Sequence, residues 1–116
     1  MSTYLFAYRA PRDYQPGNRE EMIAWQTWFG DLGEALVDAG NPIFSRTTIG
    51  AVTSDTDLGG YSLITADNVN AATELAHGCP FMKLGGGVEI GEITPISEHR
   101  PTTTAKDRSR ATGAHA

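Results

Sequence analysis

Residues 3–9 alternate between aromatic and smaller side chains. Tyr4, Phe6 and Tyr8 occupy every second position, so an extended chain places them together on one face. The positions between them begin with leucine and alanine, which gives the opposite face an apolar character as well. This pattern predicts a first strand that is covered on both sides.

Residues 22–36 have the spacing of apolar side chains that is typical of a helix. Bulky apolar side chains recur at intervals of three and four residues, at Met22, Trp25, Phe29, Leu32 and Leu36. Asn18, with Glu21 three residues later, is typical of a helix N-cap and its capping-box partner. We therefore predict a first helix that runs to about Ala39 and is ended by Gly40.

The middle of the chain predicts two strands and a second helix. Residues 45–52 and 61–66 are rich in strand-forming side chains, and the Gly- and Asp-rich stretch between them favours a turn. Asp67 or Asn68 is placed to cap a short helix, which Gly78 closes.

A fourth strand is predicted over residues 88–96. Val88 and Ile90 share one face of this strand, whereas Ile93 belongs to the other. A bulge near Gly91 is one explanation of that change of face.

The resulting order, β-α-β-β-α-β, is that of an α+β, ferredoxin-like fold. In this arrangement the helices cover only one face of the sheet. Because the first strand is apolar on both faces, we expect a second copy of the chain to cover the open face, giving a homodimer joined through its sheets.

Charge divides the chain into two parts. Residues 1–97 hold five Lys/Arg and twelve Asp/Glu, whereas residues 98–116 hold four and two and have no bulky apolar side chain. We predict one acidic α+β domain over 1–97 and a disordered, basic tail over 98–116. An acidic domain repels phosphate backbones, so nucleic acid is not an expected partner.

Other classes of protein are excluded by what the sequence lacks. No apolar stretch approaches the length of a membrane span, and the N-terminus has no secretory pattern, so a cytoplasmic location is predicted. The single cysteine, Cys79, allows neither an internal disulfide nor a thiolate zinc site. Neither a metal nor another cofactor is predicted.

Three segments resemble the YCII-related, DGPF-like proteins of the dimeric α+β-barrel class. They are the helix carrying Met22-x-x-Trp25-x-x-Trp28, the strand start Gly59-Gly60-Tyr61, and the run Cys79-Pro80-Phe81-Met82-Lys83-Leu84-Gly85 before the last strand. The resemblance covers roughly residues 3–96 and implies a dimeric α+β barrel with a small-molecule pocket.

The chain also departs from that family. Residues 53–58 stand where one branch has its Asp-Gly-Pro-Phe motif, and Cys79 stands where others have Asp before Pro-Phe. The histidine that some members carry on the first helix would fall near Met22 or Ile23. A His–Asp catalytic dyad therefore does not transfer from the family to this chain.

His77 is the one histidine outside the tail and is the predicted acid/base group, with Asp31 of the first helix as its partner. The alternative is structural, because a histidine in the last turn of a helix interacts favourably with the helix dipole and the terminal carbonyls. Cys79 is predicted to be a packing residue, since a helix C-terminus raises the pKa of a thiol.

Aromatic side chains provide the predicted substrate-binding residues. Tyr8 and Trp28 combine an aromatic surface with a polar atom and lie at the end or edge of their elements, and Phe81 lies in the loop that precedes the last strand. The remaining aromatic residues are expected to form the core. Gly85-Gly86-Gly87 is not predicted to bind phosphate, because it precedes a strand and not a helix.

Two functional hypotheses follow. The first is a cofactor-independent, small-molecule-binding protein of YCII type that performs acid/base chemistry in a cleft between sheet and helices. The alternative is a non-catalytic, dimeric regulatory or structural module. A monooxygenase of related shape is a third hypothesis and rests on fold analogy alone.

Overall fold

The computed structural model of the chain describes residues 1–96, and the predicted tail 98–116 lies outside them. Four strands and two α-helices follow one another in the order β1 (Ser2–Pro11), α1 (Arg19–Leu32), β2 (Leu36–Pro42), β3 (Thr56–Ala66), α2 (Val69–Ala76) and β4 (Gly87–Ile93). Short 3₁₀ segments follow α1 (Gly33–Ala35) and α2 (Pro80–Leu84). The strands form one antiparallel sheet in the order β2-β3-β1-β4, which confirms the ferredoxin-like α+β prediction.

β1 is central because both of its edges are paired, with β3 on one side and β4 on the other. Its aromatic face packs beneath the helices, where Tyr4, Phe6 and Tyr8 are almost fully buried. Ile64 and Ile90 lie opposite Tyr4 and Phe6 on the neighbouring strands, so they extend the same face. The predicted alternation therefore places the core on the helix side of the sheet.

α1 begins as predicted and ends early. The side chain of Asn18 accepts a hydrogen bond from the backbone N–H of Glu21, which confirms the N-cap. The helix ends at Leu32 and not near Ala39, because Gly33 adopts a positive φ of 56° that breaks the helical path.

The prediction for β2 was wrong. The strand is Leu36–Pro42, whose first four residues the sequence predicts as the end of the first helix, whereas residues 45–52 lie in a loop. The strand-forming composition of that loop is misleading, because Ile49 there is 87% exposed. Pro42 and Gly40 are tolerated in β2 because it is an edge strand with an irregular register.

α2 and β4 follow the sequence closely. The side chain of Asn68 accepts from the backbone N–H of Ala71 and caps α2. β4 is in continuous register with β1, so the bulge proposed at Gly91 is absent from this pairing. Ile93 faces away from Val88 through simple alternation, since the two are an odd number of positions apart.

The face of the sheet opposite the helices carries Leu5, Leu63 and Ile93. Leu5 and Ile93 are 37% and 40% exposed in the single chain. Within residues 1–96, no helix has the length and apolar character needed to cross a membrane.

Candidate functional site

A cavity of about 320 Å³ lies between α1 and the sheet, and this size is at the lower end of small-molecule sites. Aromatic side chains make up much of its wall: Tyr8, Tyr14, Trp25, Phe29, Phe44, Tyr61 and Phe81. Asn18, Glu21 and Asn41 add polar atoms, and no His, Lys or Arg among the described residues lines it. The cavity therefore suits a flat, largely apolar molecule that offers hydrogen bonds at its edge.

Glu21 is the acidic side chain of the cavity, and its carboxylate is held in place from two sides. The Tyr14 hydroxyl donates to Glu21 Oε2 over 2.5 Å, and the Trp25 indole N–H donates to the same oxygen over 3.1 Å. Trp25 reaches Glu21 because the two residues are one helical turn apart on α1. Neither contact uses Oε1, so this oxygen is available to a ligand.

Tyr14 lies in the loop between β1 and α1, and its ring meets Phe81 edge to face at 5.0 Å. Burial raises the pKa of the Tyr14 hydroxyl above its ordinary value, and the hydrogen bond to the Glu21 carboxylate raises it further. Tyr14 therefore keeps its proton at neutral pH. The pair places a proton donor beside an acceptor at the wall of one cavity.

Tyr8 contributes its ring to the cavity and its hydroxyl to the core. The hydroxyl donates to Ser62 Oγ over 2.7 Å, and Ser62 in turn donates to the Ala39 carbonyl over 2.7 Å. Burial raises the pKa of Tyr8, an effect that the Ser62 hydrogen bond only partly offsets. These two hydrogen bonds hold the Tyr8 ring in place at the cavity wall and link β1, β3 and β2.

Glycines on the sheet allow the aromatic wall to approach the backbone. A Cβ on Gly59 would lie 3.3 Å from the Phe81 ring, and a Cβ on Gly40 would lie 1.8 Å from the Tyr61 carbonyl oxygen. Gly40 also has a φ of 72°, which strains any other residue. Gly40 therefore requires glycine, whereas a side chain at Gly59 would press on the Phe81 ring and shift the cavity wall slightly.

Comparison with known proteins shows the fold of this chain but no closer relationship. No protein-family model and no curated protein matches the sequence. Among solved structures, the chain is similar to 5-chloro-2-hydroxyhydroquinone dehydrochlorinase (TftG) from Burkholderia phenoliruptrix AC1100, determined in complex with 2,5-dihydroxybenzoquinone. The identity is 16%, the TM-score is 0.52, and the match covers 81% of this chain and 94% of that one.

The likeness shows the fold alone. The dehydrochlorinase is a YCII-related protein of the dimeric α+β-barrel class, so the family resemblance seen in the sequence has a structural counterpart at low identity. The aromatic cavity between α1 and the sheet is formed by this chain's own residues and does not depend on the comparison.

Two of the three predicted substrate-binding residues, Tyr8 and Phe81, line the cavity. Trp28 does not, because its ring is buried in the core, where its N–H donates to the Leu75 carbonyl over 3.2 Å. The tryptophan at the cavity is Trp25, one turn earlier on the same helix. A role for any of these residues in substrate binding stays a prediction.

The structure does not bring the predicted catalytic pair together. His77 caps the end of α2 at the surface, with its backbone N–H bonded to carbonyls of the last turn. Asp31 is exposed on α1, and within residues 1–96 no ion pair or hydrogen bond joins the two side chains. Neither lines the cavity, so their catalytic role stays a prediction without a shared site.

Cys79 is fully buried next to the 3₁₀ segment that carries Phe81. Burial raises the pKa of its thiol to about 11, so little thiolate exists at neutral pH. It packs as a small apolar residue. Within residues 1–96, no group of three His, Cys, Asp or Glu side chains is arranged to hold a metal ion.

Sequence reasoning missed the residues that make the cavity polar. The sequence pattern assigns Glu21 to helix capping and gives Tyr14 no role. One signal was present in the sequence. Glu21 and Trp25 are four residues apart at the start of a helix, and this spacing places their side chains next to each other.

Proposed function

We propose that this protein binds a small, planar, hydroxylated ring compound in the cavity between α1 and the sheet and acts on it by cofactor-independent acid/base chemistry. The observation that carries the proposal is the Glu21 carboxylate, which is positioned by Tyr14 and Trp25 at the wall of an aromatic cavity. Aromatic walls favour a flat ligand through stacking and edge-to-face contacts.

The structural neighbour supports the same class of ligand. Its structure was determined with 2,5-dihydroxybenzoquinone, a flat ring with polar oxygens at its edge.

In the proposed chemistry, Glu21 accepts a proton from a ring hydroxyl through Oε1, the oxygen that Tyr14 and Trp25 leave open. Tyr14, which holds its proton at neutral pH, breaks its hydrogen bond to Glu21 and gives that proton to a second ring oxygen, on which negative charge develops by conjugation. The protonated Glu21 carboxyl then returns its proton to the Tyr14 oxygen, so both side chains regain their starting state and the ligand leaves as its tautomer.

The experiment is calorimetric titration of the full chain with hydroquinone, catechol and 2,5-dihydroxybenzoquinone, followed by the variant Glu21→Gln. We expect binding of at least one ring compound and roughly tenfold weaker binding to Glu21→Gln, as loss of a charge-assisted hydrogen bond implies. His77→Asn serves as the comparison, because His77 lies outside the cavity. Unchanged affinity in Glu21→Gln with lost affinity in His77→Asn would reassign the site to His77 and Asp31.

The alternative is a non-catalytic binding module. It is favoured by the hydrogen bonds that already engage two cavity hydroxyls, Tyr8 to Ser62 and Tyr14 to Glu21. Ligand binding without any conversion of the panel compounds, followed by absorbance spectra over hours, would support this alternative over an enzyme.

The proposal includes a homodimer formed through the sheet faces and a cytoplasmic location. Support for the dimer comes from Leu5 and Ile93, apolar side chains on a face that no element of residues 1–96 covers. The location rests on the sequence prediction alone.

A further inference from the structure

A second, smaller depression of about 190 Å³ adjoins the aromatic cavity. The two share part of their walls, including Tyr14 and Phe44. Because the same side chains line both, a ligand whose ring fills the cavity can extend a substituent past Tyr14 into the smaller depression.

The smaller depression differs from the cavity in charge. Arg12 and Arg46 line it, together with Asp57. Residues 1–96 hold only five Lys and Arg side chains, so two of the five are placed here in an otherwise acidic domain. The local balance is one net positive charge, which attracts a single anionic group.

Arg12 is positioned by the loop that precedes β3. Its guanidinium donates to the Ser54 carbonyl. That carbonyl is fixed by a turn in which the Thr56 backbone N–H donates to Ser54 Oγ over 3.1 Å. No ion pair of Arg12 occurs within residues 1–96, so its charge is not neutralised by a carboxylate there.

Arg46 is held more loosely. It pairs with Asp57 over 3.4 Å, with both side chains about one-third exposed. Ion pairs of this kind contribute little to stability, so an incoming carboxylate competes with Asp57 at small cost. Arginine is suited to that exchange because its guanidinium forms paired hydrogen bonds with a carboxylate.

We infer that the ring compound bound by this protein carries a carboxylate on a short side chain, which Arg12 and Arg46 bind while the ring occupies the aromatic cavity. This inference rests on the proposed function, because it names the substituent of a ligand whose ring is assigned to that cavity. No Lys, Arg or His among the described residues lines the cavity itself. The negative charge of the carboxylate would therefore be bound in the adjoining depression, by Arg12 and Arg46.

The test compares two ligands of similar size that carry a charged and a neutral side chain, dihydroxyphenylacetate and dihydroxyphenylethanol, by calorimetric titration of the full chain. We expect the carboxylate to bind about tenfold more tightly, and we expect added salt to reduce the difference. Arg12→Gln should remove most of this preference. Arg19→Gln is the matched control, because Arg19 lines neither depression and its loss should leave the preference unchanged.

The outcomes separate the inference from the proposed function. If both ligands bind equally and Arg12→Gln changes neither, the carboxylate subsite is wrong while ring binding stands. If neither ligand binds, nor any neutral ring compound, the proposed function fails together with the inference. A preference that Arg12→Gln and Arg19→Gln reduce equally would show general electrostatic attraction and would overturn the subsite.

Discussion

The Tyr14 hydroxyl donates to Glu21 Oε2 over 2.5 Å, and this bond ties the loop after β1 to the first turn of α1. Tyr14→Phe removes the donor and keeps the ring against Phe81. We expect it to lower the free energy of unfolding by about 1–2 kcal/mol, since a hydrogen bond to a charged group in a half-buried position is lost. Urea unfolding measures the change.

A double-mutant cycle identifies the source of that loss. Tyr14→Phe in a Glu21→Gln background should cost clearly less than in the wild type, because the charged acceptor is already gone. Equal costs in both backgrounds would show that Tyr14 stabilises the loop through packing and not through Glu21.

Gly40 lies in β2 at the wall of the cavity, and its substitution by alanine should be severe. The added Cβ would sit 1.8 Å from the Tyr61 carbonyl oxygen, and the φ of 72° is itself unfavourable for alanine. We expect Gly40→Ala to cost at least about 2–3 kcal/mol of stability.

Gly30→Ala is the matched control for this substitution. Gly30 lies inside α1, where an added Cβ meets nothing within 4 Å. Alanine there should raise stability by about 0.5–1 kcal/mol, because it favours the helix. Similar thermal melting shifts in the two variants would contradict the geometry assigned to β2.

The fold was predictable where the hydrophobic period and the local chemistry agreed. In β1 the alternation of Tyr4, Phe6 and Tyr8 predicts the buried face, and in both helices an asparagine cap marks the start. The period alone failed at Leu36, which continues the apolar stripe of α1 but belongs to β2. The helix ends at Gly33, and the spacing of the apolar residues does not indicate this end.

The site was less predictable, because it depends on which face of α1 turns towards the sheet. Trp25 and Trp28 are both aromatic and both on this helix, yet only Trp25 reaches the cavity. The difference arises from tertiary packing, since α2 supplies the Leu75 carbonyl that binds the Trp28 N–H. Nothing in the sequence pairs Tyr14 with Glu21, because the bond crosses a loop whose path only the fold defines.

Alkaline pH should destabilise the protein through its cavity tyrosines. Burial raises the pKa of Tyr8 and Tyr14 above the ordinary value of 10.0. The folded state therefore holds these protons more tightly than the unfolded chain does, so their contribution to stability is intact below about pH 10 and declines as the pH rises above it. Urea unfolding at a series of pH values measures the decline.

The variant Tyr8→Phe isolates one tyrosine from the other titrating groups. Its stability should fall less steeply above about pH 10 than that of the wild type, because phenylalanine has no proton to lose. Parallel curves for the two proteins would show that the Tyr8 hydroxyl ionises equally well in the folded state, contrary to its burial beside Ser62.

The open face of the sheet leads to a prediction about assembly. Leu5 lies at the centre of that face, opposite Leu63 on β3 and Gly91 on β4, and it is 37% exposed in the single chain. If a second copy covers this face, Leu5→Glu buries a charge without a partner and should weaken the dimer at least tenfold, an effect of about 1.4 kcal/mol or more. Light scattering across a dilution series measures the dissociation.

Val69→Glu is the matched control for that experiment. Val69 is 52% exposed at the start of α2, on the helix side of the sheet, where an acidic side chain is favourable. The control should therefore keep the wild-type assembly state. A wild-type chain that is monomeric at all concentrations would refute the sheet-to-sheet dimer, and the apolar face around Leu5 would then need a different partner.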